Sequence, residues 1–277
     1  MKIFLVVFVI LVIIICFFAV MDRLFYSKFL RIANKIWAEA GKQDPSIVTE
    51  DDLMALPPPV ARYIKISGLK GKKRISSMRI SHSGSFKTGA DRNFMPINGK
   101  YYLTTKKPSF CWFGKISLFP GLSVSAFDSY FNGKGHMLIK VMSLFKIADA
   151  RSSVIDYSAF GRCLAEMTMA PSFFLNNQLI KWTSFNSNHA EFTITDSGLS
   201  ADAVLHFSND GTLERIVVDR YFDRGNGKAT LEKFTGKGQL IKDFNGLRLY
   251  SVFDGYWNLK EGDLHYVHFI VDNVEFE

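Results

Sequence analysis

The feature that most constrains this 277-residue chain is an uninterrupted apolar run close to its amino terminus. The run extends from Ile3 to Met21, reads IFLVVFVILVIIICFFAVM, and contains no charged residue, glycine or proline. As an α-helix with a rise of about 1.5 Å per residue it is about 28 Å long, close to the hydrocarbon thickness of a bilayer. Since it has no polar face to meet water, it does not resemble a core helix of a soluble protein. Residues 1–21 are therefore predicted to form a transmembrane anchor.

A cleaved signal peptide is the main alternative to an anchor, and the residues at the end of the run argue against it. Such peptides have a shorter apolar core and small residues before the cleavage site, whereas Ala19 is the one small residue here. A lipoprotein-type site would need a small residue before Cys16, which follows Ile15 instead. We interpret the run as an uncleaved signal anchor, with an uncleaved or late-cleaved signal peptide as the alternative.

The charges that flank the run bear on its orientation. Lys2 precedes it, whereas Arg23, Lys28, Arg31 and Lys35 follow it. The positive-inside rule by itself would place the carboxyl-terminal side in the cytoplasm. A span at the extreme amino terminus followed by one large domain is, however, the usual layout of an exported, tethered domain. We favour a single-pass protein of the cytoplasmic (inner) membrane with an extracytoplasmic domain, partly on the resemblance described below.

Residues 22–45 have apolar side chains at helical spacing with cations between them. This pattern predicts a juxtamembrane amphipathic helix that lies against anionic headgroups. A plain helical continuation of the span is the alternative. The apolar positions are Leu24, Phe25, Phe29, Ile32, Ile36 and Trp37.

Composition limits what residues 46–277 can be. Their length suits one large domain with its own core. The chain has 34 basic and 26 acidic residues, but no basic stripe, arginine-rich arm or zinc-finger spacing, so a nucleic-acid partner is not expected. Cys111 and Cys163 could form a disulfide or remain free and buried. The 26 phenylalanines could fill a β-rich core or line an apolar cavity for an acyl chain.

From residue 75 the chain alternates between apolar and polar residues as strands do, with turn signals such as Asn98-Gly99 and Asn132-Gly133. One helix interrupts this pattern after Ser152 or Ser153 and ends at Pro171. The fold class predicted is mainly β (α+β), a strongly curved antiparallel sheet or half-barrel of about eleven strands with helices in its concave face. The predicted strands are Ile75–Lys87, Lys100–Thr105, Phe110–Ile116, Leu122–Phe131, His136–Phe145, Ile180–Phe185, Ala190–Asp196, Ala201–Ser208, Thr212–Tyr221, Lys228–Lys242, Leu247–Leu259 and Asp263–Phe276.

Catalytic signatures are absent from the sequence. It contains no nucleophile elbow, phosphate-binding loop or dinucleotide fingerprint, so we predict neither an enzyme nor a cofactor. His265 and His268 are three residues apart on a predicted strand, which would place them on opposite faces and unable to share a metal ion. No metal site is predicted.

Polar residues set among large apolar ones are the best candidates for a ligand pocket. A buried charge must be paired or hydrogen-bonded. A structural network such as Arg151–Glu166 would meet that need, and so would a polar mouth in which Arg151 or Arg220 holds the carboxylate or phosphate of a ligand. The candidate pocket residues are Trp112, Asp128, Tyr130, Arg151, Glu166, Arg220 and Tyr221.

The order of several short segments resembles a bacterial family known as a domain of unknown function, over roughly residues 52–277. The segments are LPPPVARYIKISG, YYLTTKKPSFCW, DSYFNGKGHM, IADAR, LAEM and DRYFDRGNG. That family is similar in predicted architecture to the LolA/LolB lipoprotein carriers and receptors, so the resemblance implies a curved sheet around a helical lid and an apolar cavity. It supplies no active-site residue. The chain has Thr230-Leu231-Glu232 where the family's Pro-Trp is expected.

These observations lead to one function and one alternative. The expected function is that of a membrane-anchored protein that binds a lipid, an acyl chain or another hydrophobic ligand near the membrane surface. The alternative is a structural or interaction module of a cell-envelope complex, whose aromatic interior is a packed core. The sequence identifies no protein partner.

Overall fold

A computed structural model of the protein describes residues 2–39, 45–119 and 121–277. The helices are α1 (Lys2–Glu39), α2 (Glu50–Met54), α3 (Pro58–Ile66) and α4 (Ser153–Glu166), with 3₁₀ turns at Met167–Met169 and Pro171–Leu175. The strands are β1 (Ser77–Phe86), β2 (Met95–Thr104), β3 (Ser109–Phe119), β4 (Leu122–Phe131), β5 (Lys134–Val141), β6 (Phe145–Ala150), β7 (Ile180–Phe185), β8 (His189–Asp196), β9 (Leu199–Phe207), β10 (Leu213–Gly225), β11 (Lys228–Phe244), β12 (Leu247–Leu259) and β13 (Gly262–Phe276).

The described strands form one antiparallel sheet in the order β6-β5-β4-β3-β2-β1-β13-β12-β11-β10-β9-β8-β7. The last strand closes onto the first in the middle of the sheet, where Met78 lies opposite Phe276. Helix α4 contacts β4 and β5 in one half of the sheet and β9, β10 and β11 in the other. A single helix reaches strands so far apart only because the sheet curls around it. The predicted curved antiparallel sheet with helices in its concave face is confirmed.

Helix α4 packs closely against the sheet where a glycine, which has no side chain, leaves room for the backbone of the neighbouring strand. Ser152 caps the helix, its hydroxyl accepting a hydrogen bond from the Ile155 amide at 3.3 Å. A Cβ on Gly161 would lie 2.7 Å from the Asp219 carbonyl oxygen, too close for any other residue. The buried face of α4 carries Phe160 and Leu164 into the main core.

Helix α1 has two different surroundings along its length. Its first part is exposed and apolar, and the helix is long enough to cross a membrane, although an amino-terminal signal sequence would pass the same test. The part after residue 21 packs on the convex face of β2 and β3. Phe29 is fully buried there, with its ring centroid 5.5 Å from those of Tyr102 and Phe113.

Residues 22–39 continue the helix of the apolar run. The stripe that contains Phe25, Phe29 and Ile36 faces the sheet instead of lying free for lipid headgroups. Asp22 fixes the start of this docked part, because its carboxylate accepts hydrogen bonds from Lys115 at 2.9 Å and Ser143 at 2.7 Å. Residues 40–44 lie outside the described part of the chain.

Two turn predictions were wrong. The predicted strand His136–Phe145 is divided into β5 and β6 by a turn at Met142-Ser143, where φ is 52° and 56° without any glycine. Asn98-Gly99 lies inside β2 and makes no hairpin. Gly99 is needed there because the ring of His82 occupies the space in which a Cβ would lie.

Cys111 and Cys163 are free and buried. Cys111 lies on the convex face, where its thiol contacts the Phe29 carbonyl at 4.0 Å, whereas Cys163 belongs to the main core inside the sheet. Because the sheet separates them, the free alternative left open by the sequence is the one observed.

Candidate functional site

A charged cluster lies at the centre of the concave face, and Arg162 of α4 organises it. Its Nη1 donates to the Asp128 carboxylate on β4 at 2.6 Å, and its Nε lies 3.7 Å from Glu166 one turn later. Tyr101 of β2 joins the two, because its hydroxyl accepts from Arg162 Nε at 2.9 Å and donates to Glu166 at 2.8 Å. The cluster thus ties the helix to both β2 and β4.

Aromatic rings surround the Arg162 guanidinium. Its central carbon lies 4.7 Å from the Trp112 ring centroid and 5.3 Å from that of Phe110. Trp112 in turn donates its indole N–H to His82 Nε2 at 2.9 Å. Burial lowers the pKa of His82 to about 4, so the imidazole is neutral at pH 7 and its Nε2 can accept this hydrogen bond.

Arg220 of β10 brings a second guanidinium to the cluster, but no acid neutralises it. Its Nε donates to the Ser158 carbonyl at 3.2 Å, and within the described residues no carboxylate oxygen lies within 4 Å of its nitrogens. Its central carbon lies 4.5 Å from the Phe234 ring centroid and 4.9 Å from that of Trp257. Burial, and secondarily the charge of Arg162, lower the pKa of Arg220 to about 10, so it remains a cation at neutral pH.

Glu166, the acid that α4 contributes to the cluster, has a perturbed pKa. Burial raises the pKa of Glu166 above its ordinary value, even though Arg162 and Tyr101 act in the opposite direction. Two buried guanidiniums therefore share the cluster with Asp128 and a carboxyl group that takes up a proton more readily than usual. When Glu166 is protonated, an anion that enters the cluster meets two guanidiniums and a single carboxylate.

Solvent reaches the cluster through one side of the concave face. The side chain of Glu166 is 21% exposed and that of Arg162 is 14% exposed. Beside them lies a group of four rings that we call the aromatic rim, in which neighbouring ring centroids are 5.0–6.3 Å apart. Three of these rings are only partly buried. The aromatic rim consists of Phe86, Phe222, Trp257 and Tyr266.

The structure brings four of the seven predicted pocket residues together: Trp112, Asp128, Glu166 and Arg220. The predicted Arg151–Glu166 network is wrong. Arg151 is on the loop before α4, where its side chain is 65% exposed and reaches Asp149 at 4.0 Å, while Glu166 bonds to Arg162 and Tyr101.

The remaining two predicted residues have structural surroundings of their own. Tyr130 is fully buried, stacks on Phe160 with centroids 5.1 Å apart, and donates its hydroxyl to Asp196 at 2.6 Å. Tyr221 lies beside Tyr157, with ring centroids 5.7 Å apart. Neither contacts Arg162 or Arg220 in a hydrogen bond or ring contact.

Sequence reasoning missed several members of the cluster and all four rings of the rim. Arg162 lies four residues before Glu166 on α4, a spacing that is equally typical of an exposed ion pair. The inward-facing residues on β1, β2, β12 and β13 were not recognised as site residues, because aromatic side chains are common in ordinary strands. The missed residues include His82, Tyr101 and Arg162 of the cluster and Phe86, Phe222, Trp257 and Tyr266 of the rim.

Several phenylalanines pack in the core instead of lining an open cavity. Phe110, Phe160, Phe173, Phe174 and Phe192 are all fully buried. A recess of about 410 Å³ is an open surface groove along α2 and α3 with no phenylalanine in its lining. Of the two alternatives for the phenylalanines, the structure has the packed core for these five.

Residues 46–269 match the sequence model of DUF6544, a family of unknown function. The chain belongs to this family. The resemblance predicted from the ordered segments is thereby confirmed at the level of the family. A search of curated proteins found no match for this DUF6544 member.

A search of solved structures found a similarity to a LolA superfamily protein from Nitrosomonas europaea. The two chains are 9% identical, and the match covers 79% of this chain and 92% of the other with a TM-score of 0.39. A TM-score below 0.5 is too low to transfer a ligand or a role to this DUF6544 member. Its function must be argued from its own site.

Proposed function

We propose that this protein is a membrane-anchored binding protein that holds a lipid or another hydrophobic molecule with an acidic headgroup. The headgroup, a carboxylate or a phosphate, pairs with Arg220, and the apolar chain lies along the aromatic rim. Arginine suits this role because its planar guanidinium donates two parallel hydrogen bonds to such groups.

The observation that carries this proposal is the unneutralised charge of Arg220. The residue is 8% exposed, and its described hydrogen-bond partner is a neutral carbonyl. An uncompensated buried charge costs several kcal/mol, even where aromatic faces offset part of the loss. An anionic ligand that enters from the aromatic rim would supply the missing partner.

The anchor supports a site of action at the bilayer surface. The docked part of α1 starts at Asp22, which binds Lys115 and Ser143. The nearby ends of β3 and β6 carry four exposed apolar side chains, which would face lipid if the first part of α1 crosses the membrane. They are Leu118, Phe119, Phe145 and Ile147, with exposed fractions of 40–63%.

The proposal includes an extracytoplasmic domain. The docking of α1 weakens the positive-inside argument for the opposite orientation, because one of the cations after the apolar run also has a contact within the domain. Lys35 lies over the Phe131 ring, 5.1 Å from its centroid, so this cation has a structural use besides its effect on topology. A phosphatase fused to the carboxyl terminus should be active and a fluorescent-protein fusion dark. The reverse result would place the domain in the cytoplasm.

The test of ligand binding uses the full chain purified in mild detergent, with bound lipids extracted and identified by mass spectrometry. We expect acidic lipids or fatty acids at near-stoichiometric amounts, reduced at least about tenfold in Arg220→Gln. Arg220→Lys, which keeps the charge, should retain part of the ligand, and Arg215→Gln, an exposed position on the same strand, should retain all of it. Thermal unfolding shows whether Arg220→Gln is folded. An equal lipid content in all four proteins would overturn the proposal.

The packed interior favours one alternative, a non-enzymatic interaction module of a cell-envelope complex. In that case the central cluster only ties α4 to the sheet. The purified wild-type protein would then contain no stoichiometric lipid, whereas a protein partner would be recovered by in-cell cross-linking.

A further inference from the structure

The face on which His265 and His268 lie differs from the sequence prediction. On a regular strand, residues three apart point to opposite faces. In β13, however, Gly255 pairs with Val267 and Tyr256 pairs with His265, so one residue, Tyr266, is extra. This β-bulge changes the alternation, and both histidines lie on the same face.

Both imidazoles point to one carboxylate. His265 Nε2 lies 2.9 Å and His268 Nδ1 lies 2.7 Å from the same Oδ1 atom of Asp254 on β12. The three donor atoms all lie within 4.8 Å of one another. The Asp254 side chain is 3% exposed, whereas those of the histidines are 31% and 37% exposed. The carboxylate is therefore buried at the sheet surface, and solvent reaches the two imidazoles.

We propose that Asp254, His265 and His268 form a zinc-binding site. Two imidazole nitrogens and one carboxylate oxygen are a ligand set that zinc accepts, with a fourth position left for water or an external ligand. Zinc held at about 2.0–2.2 Å from each donor needs donors about 3.3 Å apart. The two histidine nitrogens lie 2.9 and 2.7 Å from Asp254 Oδ1, so each has to move outward from that oxygen by less than about 1 Å.

The surroundings hold the three side chains in place. Gln239 of β11 donates to the second carboxylate oxygen of Asp254, which leaves Oδ1 directed at the histidines. The His265 ring stacks on Tyr256 with centroids 4.5 Å apart, and the edge of Phe94 packs against it at 5.1 Å. Such outer contacts orient ligands in metal sites.

The proposed zinc site is separate from the Arg220 cluster. Asp254 lies on the opposite face of β12 from Trp257, because the two positions are three apart on a strand without a bulge between them. The zinc proposal therefore does not depend on lipid binding. It also corrects the expectation that these histidines cannot share a metal.

The experiment measures zinc binding to the full chain in detergent after treatment with a chelator. Calorimetric titration with Zn²⁺ should give one site per chain, and elemental analysis after dialysis should find one zinc. Asp254→Asn and His268→Ala should each weaken the affinity at least about tenfold. His206→Ala, in a histidine pair elsewhere in the sheet, should bind as the wild type does.

A second readout protects the test from variants that do not fold. Co²⁺ added to the wild-type chain should produce visible absorption bands of a site with nitrogen and oxygen ligands, and Zn²⁺ should abolish them. Stoichiometry far below one zinc, an unchanged affinity in folded Asp254→Asn and His268→Ala, or the absence of cobalt bands would each overturn the proposal.

Discussion

Arg162 connects three parts of the molecule through one side chain. It binds an acid on the sheet, Asp128, and an acid on its own helix, Glu166, and it lies against the Trp112 ring. Breaking such a network from one side leaves a buried charge without its partner, which costs far more than an exposed ion pair contributes. At the scale of residues, this cluster therefore determines both the position of α4 and the charge that a ligand meets.

The raised pKa of Glu166 predicts how the stability of the folded protein changes with pH. Burial raises its pKa in the folded protein, so the folded state binds this proton more tightly than the unfolded state does. The stabilisation is complete below the ordinary glutamate value and is lost as pH rises through the raised pKa. Because Glu166→Gln cannot titrate, the melting temperature of the variant relative to wild type should increase from pH 4 to pH 8.

Differential scanning fluorimetry of the full chain measures this difference, and a change of at least about 2 °C is expected. Glu214→Gln, at an exposed position on β10, is the matched control and should give a constant difference. A difference for Glu166→Gln that is constant or shrinks with rising pH would contradict the assignment of the raised pKa.

At the scale of elements, the docking of α1 makes the second part of this helix part of the domain. Phe25, Phe29, Ala33 and Ile36 are each at most 3% exposed, and they cover the convex face of the sheet around Cys111. If the apolar first part of α1 crosses a bilayer, the docked part fixes the position of the sheet relative to that bilayer.

Phe29→Ala should loosen this docking, because replacing a fully buried phenylalanine by alanine costs about 3–5 kcal/mol. Cys111 reports the effect, since its thiol lies beneath the Phe29 carbonyl. In a background with Cys16→Ala, a thiol reagent should label Cys111 at least about tenfold faster in Phe29→Ala. Leu24→Ala, at a 59% exposed position of the same helix, should label at the wild-type rate. Equal rates in all three proteins would show that the docked helix does not cover Cys111.

The elements themselves were largely predictable, because strand alternation and helix caps are local signals. The curved sheet, the cap at Ser152 and most strands follow from them. What could not be predicted are features that depend on distant residues. The turn at Met142-Ser143 contains no glycine, asparagine or proline that would mark it. Gly99 makes room for the ring of His82 on the neighbouring strand.

The sites were less predictable than the fold for the same reason. Arg220, Asp128 and Glu166 were found as charges among apolar residues, but nothing in the sequence singled out Arg162, the partner of the two acids. His265 and His268 were assigned to opposite faces because a single extra residue in β13 leaves no mark in the sequence. Bulge positions and long-range partners emerge only when the strands are paired.

On the scale of the whole molecule, one helix with an apolar first part and a docked second part packs on one curled sheet. The convex face is occupied by α1 over β2 and β3, and the concave face by α4 and the two 3₁₀ turns. The open part of the concave face is the side that holds the aromatic rim and Arg220. The central claim is that an anionic, apolar ligand binds at that place.

Photo-cross-linking tests this claim most directly. A fatty acid with a photoactivatable group in its chain is added to the full chain in lipid nanodiscs, illuminated, and its attachment sites are mapped by mass spectrometry. We expect attachment in the peptides that contain Phe86, Phe222, Trp257 and Tyr266, and at least about tenfold less in Arg220→Gln than in Arg215→Gln. Attachment confined to residues 3–21, or unchanged by loss of the Arg220 charge, would contradict the account.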